Sequence, residues 1–242
     1  MRLSLVHGFT QTGRSWGPVA DRLRAKGHDV VTPDAPGHGA RSDTGSDLPA
    51  GARLLAAEVG PATWVGYSMG GRLALHVGLL CPEVVEGLVL VSTTAGLEDE
   101  AERRSRREAD ETLARRVEQI GVPAFVEQWL EGPLWATLSR DQTGIEHRLA
   151  NTASGLASSL RLAGTGAHDP LWARLASIEV PALVVSGERD AKFGALGDRL
   201  AAALPHADRA VVPGAAHALP WEQPDVFADL VDGWVSQGGS RA

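Results

Sequence analysis

The stretch "TWVGYSMGGRLAL", residues 63–75, places one serine between glycines directly after a short apolar run. Its segment Gly66-Tyr67-Ser68-Met69-Gly70 fits the pattern Gly-x-Ser-x-Gly, in which the serine occupies a sharp turn from a strand to a helix. Larger side chains two positions to either side of the serine would collide with that strand and helix. The pattern predicts a reactive hydroxyl at Ser68, while five residues alone also fit an ordinary glycine-rich turn.

Short apolar runs alternate with longer helical patterns along the chain. The runs are rich in branched side chains and several end at Gly or Pro, which predicts strands at 3–7, 29–33, 63–67, 87–92, 182–187 and 209–214. Continuously apolar strands separated by helices are typical of parallel sheets that are covered on both sides. We therefore expect an α/β fold with a mostly parallel sheet and helices on both faces.

The segment between the fourth and fifth predicted strands departs from this alternation. From Gly96 to about Trp172 the sequence has helical patterns and no convincing strand. Four or so helices are too many for one crossover between strands. We expect a core domain of residues 1–95 and 173–242, with a helical cap, residues 96–172, inserted into it. The glycine- and serine-rich tail is expected to fray.

Composition and charge narrow the classes of partner. The 242 residues carry a formal net charge of −7, so bulk electrostatics give no reason to expect nucleic acid or an anionic membrane. No apolar stretch approaches the roughly 20 residues of a membrane span, and the first apolar run is too short for a signal peptide. The single cysteine, Cys81, fits a reducing compartment. We therefore expect a cytoplasmic protein, and the sequence leaves open whether it is a monomer or a homodimer.

An acid and a histidine follow later strands in the order that a Ser-acid-His triad requires on such a sheet. Glu188 and Asp190 come directly after the strand at 182–187, and His217 follows the strand at 209–214. Open α/β sheets place their sites beyond the ends of their strands. We predict a catalytic triad of Ser68, Asp190 and His217, with Asp190 preferred to Glu188 because it lies further along the loop.

Two backbone amides complete the predicted site. The first strand runs directly into "HGFTQTG", so the amide of Phe9 can join that of Met69 in an oxyanion hole. Histidines, cysteines and carboxylates show no metal-ligand spacing, and the sequence has no Walker or dinucleotide fingerprint. We therefore expect a site that works without a metal or a cofactor.

Phrases spread over nearly the whole chain resemble one enzyme family, the 2-succinyl-6-hydroxy-2,4-cyclohexadiene-1-carboxylate synthases of menaquinone biosynthesis. The phrases are "HGFTQTGRSW", "GYSMGGRLAL", "GLEDEAERRSRREAD", "FVEQWLEGPLW", "GLASSLRLAGTG" and "GERDAKF". The serine turn of residues 66–70, called the nucleophile elbow, is common to all α/β-hydrolases, whereas the cap phrases are more specific to this family. The resemblance implies an α/β-hydrolase fold and a lyase that eliminates pyruvate from 2-succinyl-5-enolpyruvyl-6-hydroxy-3-cyclohexene-1-carboxylate.

The resemblance also implies substrate-binding residues. They are Tyr67 and Arg72 beside the elbow, Arg106 in the cap phrase, Trp129, and, through a looser match, Arg148. Arginine suits a substrate with three carboxylates because its planar fork binds carboxylate in a bidentate manner. Most arginines between residues 98 and 118 are nevertheless expected to be solvated or paired along their helix. His168 stands where the family pattern leads us to expect another polar residue.

The family reaction gives Ser68 the role of a base. His217 would draw off its proton, and the serine would then remove the ring proton next to the succinyl ketone. Two alternatives stay open at this point. One is a carboxylesterase or carbon–carbon hydrolase with Ser68 as nucleophile, which needs an apolar acyl pocket. The other is a ligand receptor without catalysis, against which the intact triad argues.

Overall fold

Six parallel strands form one sheet in this computed structural model, which describes residues 1–238. They are β1 (Arg2–Val6), β2 (Asp29–Val31), β3 (Ala62–Tyr67), β4 (Val85–Val91), β5 (Ala182–Gly187) and β6 (Ala207–Val212). Their spatial order is β2-β1-β3-β4-β5-β6, and every neighbouring pair is parallel. Each predicted strand corresponds to one of these six. The last four residues of the tail, where fraying is expected, lie outside the described range.

Nine α-helices are present in the described residues. They are α1 (Gly17–Ala25), α2 (Leu48–Val59), α3 (Met69–Leu80), α4 (Glu100–Leu130), α5 (Ile145–Arg148), α6 (Ala153–Ala163), α7 (Ala191–Ala203), α8 (Leu219–Glu222) and α9 (Pro224–Ser236). Helix α4 is interrupted at Gly121, where φ is 76° and ψ is 166°. None of the helices that the structure describes is long and apolar enough to cross a membrane.

The core has one apolar layer on each face of the sheet. On one face, α2, α3 and α7 pack against strand residues such as Trp64 and Leu88; on the other, α1 and α9 pack against residues such as Leu5 and Val89. Alternate residues of a strand point to opposite faces, so a strand buried on both faces has a continuous apolar run. The expected α/β fold, with helices on both faces of a parallel sheet, is confirmed.

Helices α4, α5 and α6 lie between β4 and β5 in the chain, within the predicted cap. Helix α4 starts at an Asp99 cap, and α6 starts at a Thr152 cap whose hydroxyl accepts a hydrogen bond from the Gly155 amide at 3.1 Å. The two helices share an apolar cluster of their own, which includes Val117, Phe125 and Leu156. The division into a core domain and a cap remains our prediction.

The carboxyl ends of the strands lie at one edge of the sheet because all six strands are parallel. Phe9 follows β1, Ser68 follows β3, Asp190 follows β5 and His217 follows β6. The strand order reverses between β1 and β3, and ligands of open α/β sheets bind at such a reversal. The topology therefore brings residues that are far apart in sequence to one edge.

Candidate active site

Ser68 occupies the sharp turn between β3 and α3. Its φ of 52° and ψ of −107° lie in a region that side-chain-bearing residues rarely adopt. A Cβ at Gly66 would overlap the backbone of the first turn of α3, and a Cβ at Gly70 would overlap the carbonyl of Val6. The Ser68 amide donates to Val91 O at 2.9 Å, which ties the turn to β4. The glycines are therefore required because backbone atoms approach on both sides of the serine.

His217 and Asp190 form a buried hydrogen-bonded pair. The distance from His217 Nδ1 to Asp190 Oδ2 is 2.8 Å, and the residues are 3% and 8% exposed. The other carboxylate oxygen of Asp190 accepts the Phe193 amide at 3.2 Å, at the start of α7. Glu188 instead accepts the Gly214 amide at 2.8 Å. Of the two candidate acids, Asp190 is the one in contact with the histidine, and it fixes the orientation of the ring.

Ser68 and His217 line the same cavity, of about 250 Å³, beneath the predicted cap. Within residues 1–238 no hydrogen bond joins the two side chains. Hydrogen bonds of a catalytic triad often tighten only when substrate is bound. The arrangement thus provides a hydroxyl and an oriented imidazole on one cavity wall.

The residues of the predicted oxyanion hole line this cavity as well. Met69 is the first residue of α3, so its amide has no partner within the helix. Phe9 follows β1, and in the described chain its amide donates no hydrogen bond to another residue. Two free amides beside a serine hydroxyl can stabilise a negatively charged oxygen.

Three cationic side chains contribute to the cavity wall: Arg72, Arg106 and Lys192. The same three also line an adjoining cavity of about 630 Å³. The smaller cavity is also lined by aromatic side chains, among them Phe9, Trp129 and Phe193. The combined space therefore has cationic and aromatic lining, and the larger cavity adds the carboxylates of Glu98, Asp99 and Glu102.

Arg72 follows Ser68 by one helical turn and is mostly enclosed. Its guanidinium donates one hydrogen bond to Ala163 O at 2.8 Å, while its buried Nε has no partner within residues 1–238. Burial lowers the pKa of Arg72 to about 10, and the nearby Arg106 contributes in the same direction. A carboxylate in the cavity would satisfy both the charge and the free donor.

Arg106 approaches the cavity from α4. It forms a 2.8 Å ion pair with Asp110, one turn along the helix, and its side chain is 41% exposed. Burial raises the pKa of the Asp110 carboxyl above its ordinary value, against the opposing effect of Arg106. Asp110 Oδ2 is buried without a partner in the described chain. Arg106 is therefore partly neutralised, and we expect it to hold a ligand less tightly than Arg72.

Arg148 lies outside both cavities, contrary to the substrate contact expected from the resemblance. It is 1% exposed, and its guanidinium lies 5.0 Å from the ring of Trp135. Its Nε donates to Thr143 O at 2.8 Å, and its Nη1 donates to the hydroxyl of Thr10. These contacts hold the side chain against Trp135 and against Thr10 of the predicted core domain, and it lines neither cavity.

The two aromatic residues of the prediction, Tyr67 and Trp129, both line the smaller cavity. Tyr67 is fully buried, with its ring 5.4 Å from that of His217, and its hydroxyl has no partner in the described chain. Burial raises the pKa of this phenol, so it stays protonated and able to donate. Trp129 packs edge-on against Phe9 with 5.2 Å between ring centres.

Several residues that line the cavity were not predicted from the sequence, among them Lys192, Phe193, Ser159 and Thr165. Lys192 and Phe193 belong to the phrase "GERDAKF" and come directly after the acid of the triad. Their position just beyond a strand end is a signal that could have identified them. Ser159 and Thr165 come from α6 and the loop after it, for which periodicity gives no direction relative to the sheet.

The described residues contain no group of three or more His, Cys, Asp or Glu side chains arranged to hold a metal ion. The donors around Ser68 are instead hydroxyl groups, backbone amides and cationic side chains. Such a set suits a ligand that carries negative charge.

Comparison with known proteins identifies relatives over almost the whole chain. Residues 5–230 match the model of the alpha/beta hydrolase family. A protein of Bacillus subtilis strain 168, assigned as a 2-succinyl-6-hydroxy-2,4-cyclohexadiene-1-carboxylate synthase, is 35% identical over 96% of this chain and 89% of its own length. The synthase of that name from Enterobacter sp. strain 638 is 30% identical over 93% of this chain and 88% of its own.

A solved structure agrees with these sequence relatives. MenH from S. aureus superposes with a TM-score of 0.91 at 28% identity, over 98% of this chain and 94% of its own. The chain therefore belongs to the alpha/beta hydrolase family and, within it, to the 2-succinyl-6-hydroxy-2,4-cyclohexadiene-1-carboxylate synthases.

Proposed function

We propose that this protein is a lyase of menaquinone biosynthesis. It converts 2-succinyl-5-enolpyruvyl-6-hydroxy-3-cyclohexene-1-carboxylate to 2-succinyl-6-hydroxy-2,4-cyclohexadiene-1-carboxylate and releases pyruvate. The observation that carries the proposal is the basic wall formed by Arg72, Arg106 and Lys192 beside the hydroxyl of Ser68. A substrate with three carboxylates needs such a wall, whereas an acyl pocket for simple esters does not.

The reaction begins with removal of a ring proton. In our proposal Ser68 gives its hydroxyl proton to His217, and the serine oxygen then takes the proton from the carbon next to the succinyl ketone. Asp190 holds the ring of His217 and stabilises its charged form, as the 2.8 Å hydrogen bond supports. The base role needs no covalent bond between Ser68 and the substrate.

The negative charge moves to the ketone oxygen as the proton leaves. We assign the amides of Phe9 and Met69 to this oxygen, where each donor lowers the barrier by roughly 3–4 kcal/mol in comparable sites. The electron pair then forms a double bond between ring carbons 2 and 3, the existing ring double bond moves from carbons 3 and 4 to carbons 4 and 5, and the bond from carbon 5 to the enolpyruvyl oxygen breaks. The departing oxygen takes up a proton, and the resulting enol becomes pyruvate.

Arg72, Arg106 and Lys192 have the role of binding the carboxylates in this proposal. The enclosed, only partly satisfied Arg72 is the strongest candidate among them. Tyr67 and Trp129 have the role of lining the space for the ring. We place the reaction in the cytoplasm, which the buried free thiol of Cys81 supports, since oxidising compartments favour paired cysteines.

The test is a pyruvate-release assay with the enolpyruvyl substrate, run beside hydrolysis of a nitrophenyl ester. We expect rapid pyruvate release, little ester hydrolysis, and at least a thousandfold lower rate for Ser68→Ala. The exposed Ser177, whose hydroxyl bonds only to Arg174 O, provides a matched control as Ser177→Ala. Hydrolysis of the ester without pyruvate release would reject the lyase. A covalent Ser68 adduct with the natural substrate, seen by mass spectrometry, would reject the base role alone.

A further inference from the structure

Thr10, the residue after the proposed oxyanion donor Phe9, has an unusual backbone conformation. Its φ is 67°, and it is completely buried. The Gln11 amide donates to Gly8 O at 3.2 Å, so Phe9 and Thr10 are the two central residues of a tight turn. Turns with positive φ at the third position normally carry Gly or Asn there, and a β-branched residue is strained. The strain persists only if the surroundings hold Thr10 in place.

Every polar group of Thr10 has a partner. Its amide donates to His38 Nε2 at 3.3 Å, its carbonyl accepts from Asn151 Nδ2 at 2.6 Å, and its hydroxyl accepts from Arg148. Two of these three partners belong to the short segment at the end of α5, inside the predicted cap. That segment is therefore hydrogen-bonded to the turn that carries Phe9.

Asn151 connects three separate parts of the chain. Besides the bond to Thr10, its amide nitrogen donates to Arg148 O at 2.9 Å, and its side-chain oxygen accepts the Gly39 amide at 2.9 Å. Asn151 is 7% exposed, so these bonds are shielded from water. Asparagine is suited to this place because one side chain both donates and accepts.

Arg148 is buried without a carboxylate partner in the described residues. Its bonds go to a carbonyl and a hydroxyl, and its charge is otherwise met by the ring of Trp135. Burial lowers its pKa to about 10. A buried charge without a counter-ion is costly, so its position calls for a compensating role.

We infer that Arg148 and Asn151 are positioning residues that clamp Thr10 and thereby aim the Phe9 amide into the cavity, so that the oxyanion hole is complete only with this segment docked. The inference rests on the proposed function in one respect, namely that the Phe9 amide serves the reaction. It goes beyond that function because it links closure over the substrate to assembly of the site.

The kinetic test uses substitutions that remove side-chain hydrogen bonds to Thr10. Asn151→Asp keeps the acceptor for Gly39 and loses the donor to Thr10 O and to Arg148 O. Thr10→Val is isosteric and loses the hydroxyl that accepts from Arg148. We expect each to lower kcat for pyruvate release about tenfold or more with KM changed less than threefold, because an oxyanion donor acts in the transition state. Thr10→Ser, which keeps the hydroxyl, should restore at least half of the wild-type kcat. Thr152→Ala, which removes the α6 cap next to Asn151, is the control: it should lower thermal stability and leave kcat unchanged.

A second readout does not depend on turnover. In ¹H–¹⁵N spectra the Phe9 amide signal should be sharp in the wild type and broadened or displaced in Asn151→Asp and Thr10→Val, while Thr152→Ala leaves it unchanged. If the wild type releases no pyruvate, the proposed function fails and the spectra alone decide on the clamp. If both variants keep kcat within twofold and leave the Phe9 signal in place, the clamp is overturned. A lower melting temperature with unchanged kcat would overturn it too, since it would mark a structural role only.

Discussion

Arg72 combines proximity to Ser68 with an incomplete set of partners. Its position one turn after the serine places it on the same helix face, and its single bond to Ala163 O leaves Nε unsatisfied. We predict that Arg72→Met lowers kcat/KM for pyruvate release about a hundredfold, equivalent to about 3 kcal/mol of lost charge pairing. Arg72→Lys should recover only part of this loss because an ammonium group cannot bind a carboxylate as a planar fork.

The control for Arg72 is Arg53→Met, which removes an exposed arginine of α2 that lines neither cavity. Steady-state kinetics of the purified variants provide the measurement. A value of kcat/KM for Arg72→Met within threefold of the wild type would mean that the carboxylates bind elsewhere.

His168, near Arg72, should make the free energy of unfolding depend on pH in the acidic range. Burial lowers the pKa of its imidazole to about 4, Arg72 adds to the effect, and its Nε2 is buried without a partner in the described chain. In the unfolded chain the pKa is about 6.5, so below that pH the unfolded state binds the additional proton. Stability should therefore fall as the pH drops from about 6.5 towards 4, and this residue should account for about 1–2 kcal/mol of the loss between pH 7 and pH 5.

The His168 prediction is tested by urea denaturation of His168→Gln at pH 7 and pH 5. The variant should lose less free energy of unfolding over this interval than the wild type, since the other buried histidines are present in both. His206→Gln, at an exposed histidine, should behave as the wild type does. Equal pH dependence for wild type and His168→Gln would contradict the prediction.

At the scale of elements, the turn between β3 and α3 is fixed by backbone contact. A Cβ at Gly70 would overlap the Val6 carbonyl, which belongs to β1 and cannot rotate away as a side chain can. We predict that Gly70→Ala lowers the free energy of unfolding by about 3 kcal/mol or more. Gly233→Ala in α9 is the matched control, because a Cβ there meets nothing within 4 Å and alanine should stabilise the helix by about 0.5–1 kcal/mol. Chemical denaturation measures the free energy of unfolding of both variants. If Gly70→Ala is no less stable than the wild type, the turn can relax around the added methyl group.

The same elements explain how much of the fold the sequence could predict. Strands buried on both faces have continuous apolar runs, so β5 was predicted at its observed bounds and β3 and β1 to within one residue. The direction of a cap side chain depends on how helices pack together, which no periodicity encodes. For this reason Arg148 was predicted to contact substrate, whereas it lies against Trp135 and Thr10.

Candidate site residues that follow strands are the ones that sequence alone can propose. Ser68, Asp190 and His217 were expected from their order and their strand ends alone, and the parallel sheet brings those ends to one edge. Lys192 and Phe193 follow the same rule and also line the cavity, but neither residue type belongs to the triad pattern that points to Asp190. Family resemblance, by contrast, was needed to distinguish Arg106 from the many other charged residues of α4.

The whole molecule carries a net negative charge, whereas the charged side chains that line the cavity beside Ser68 are cationic. The chain carries −7 overall, yet Arg72, Arg106 and Lys192 meet at one place. Many other arginines are already paired: Arg161, for example, forms ion pairs with Glu111 and Glu118 and ties α6 to α4. Exposed pairs of this kind contribute little to stability, so their larger effect is to leave few cations free to attract an anion elsewhere.

The apolar clusters predict which parts of the molecule unfold locally and independently of the rest. Leu75 belongs to the cluster beneath the sheet and Leu156 to the separate cluster of α4 and α6, and both are completely buried. Replacing either by alanine should cost about 2–5 kcal/mol locally. Because the buried members of the cap cluster all come from α4 and α6, Leu156→Ala should speed amide exchange in these two helices while the strands stay protected. It should also raise KM, because Leu160 of the same cluster lines the cavity. Leu75→Ala should lower protection of the strands as well.

Native-state hydrogen exchange followed by mass spectrometry distinguishes unfolding of the cap helices alone from unfolding that includes the strands. Uniform loss of protection in Leu156→Ala would mean that cap and core unfold as one unit.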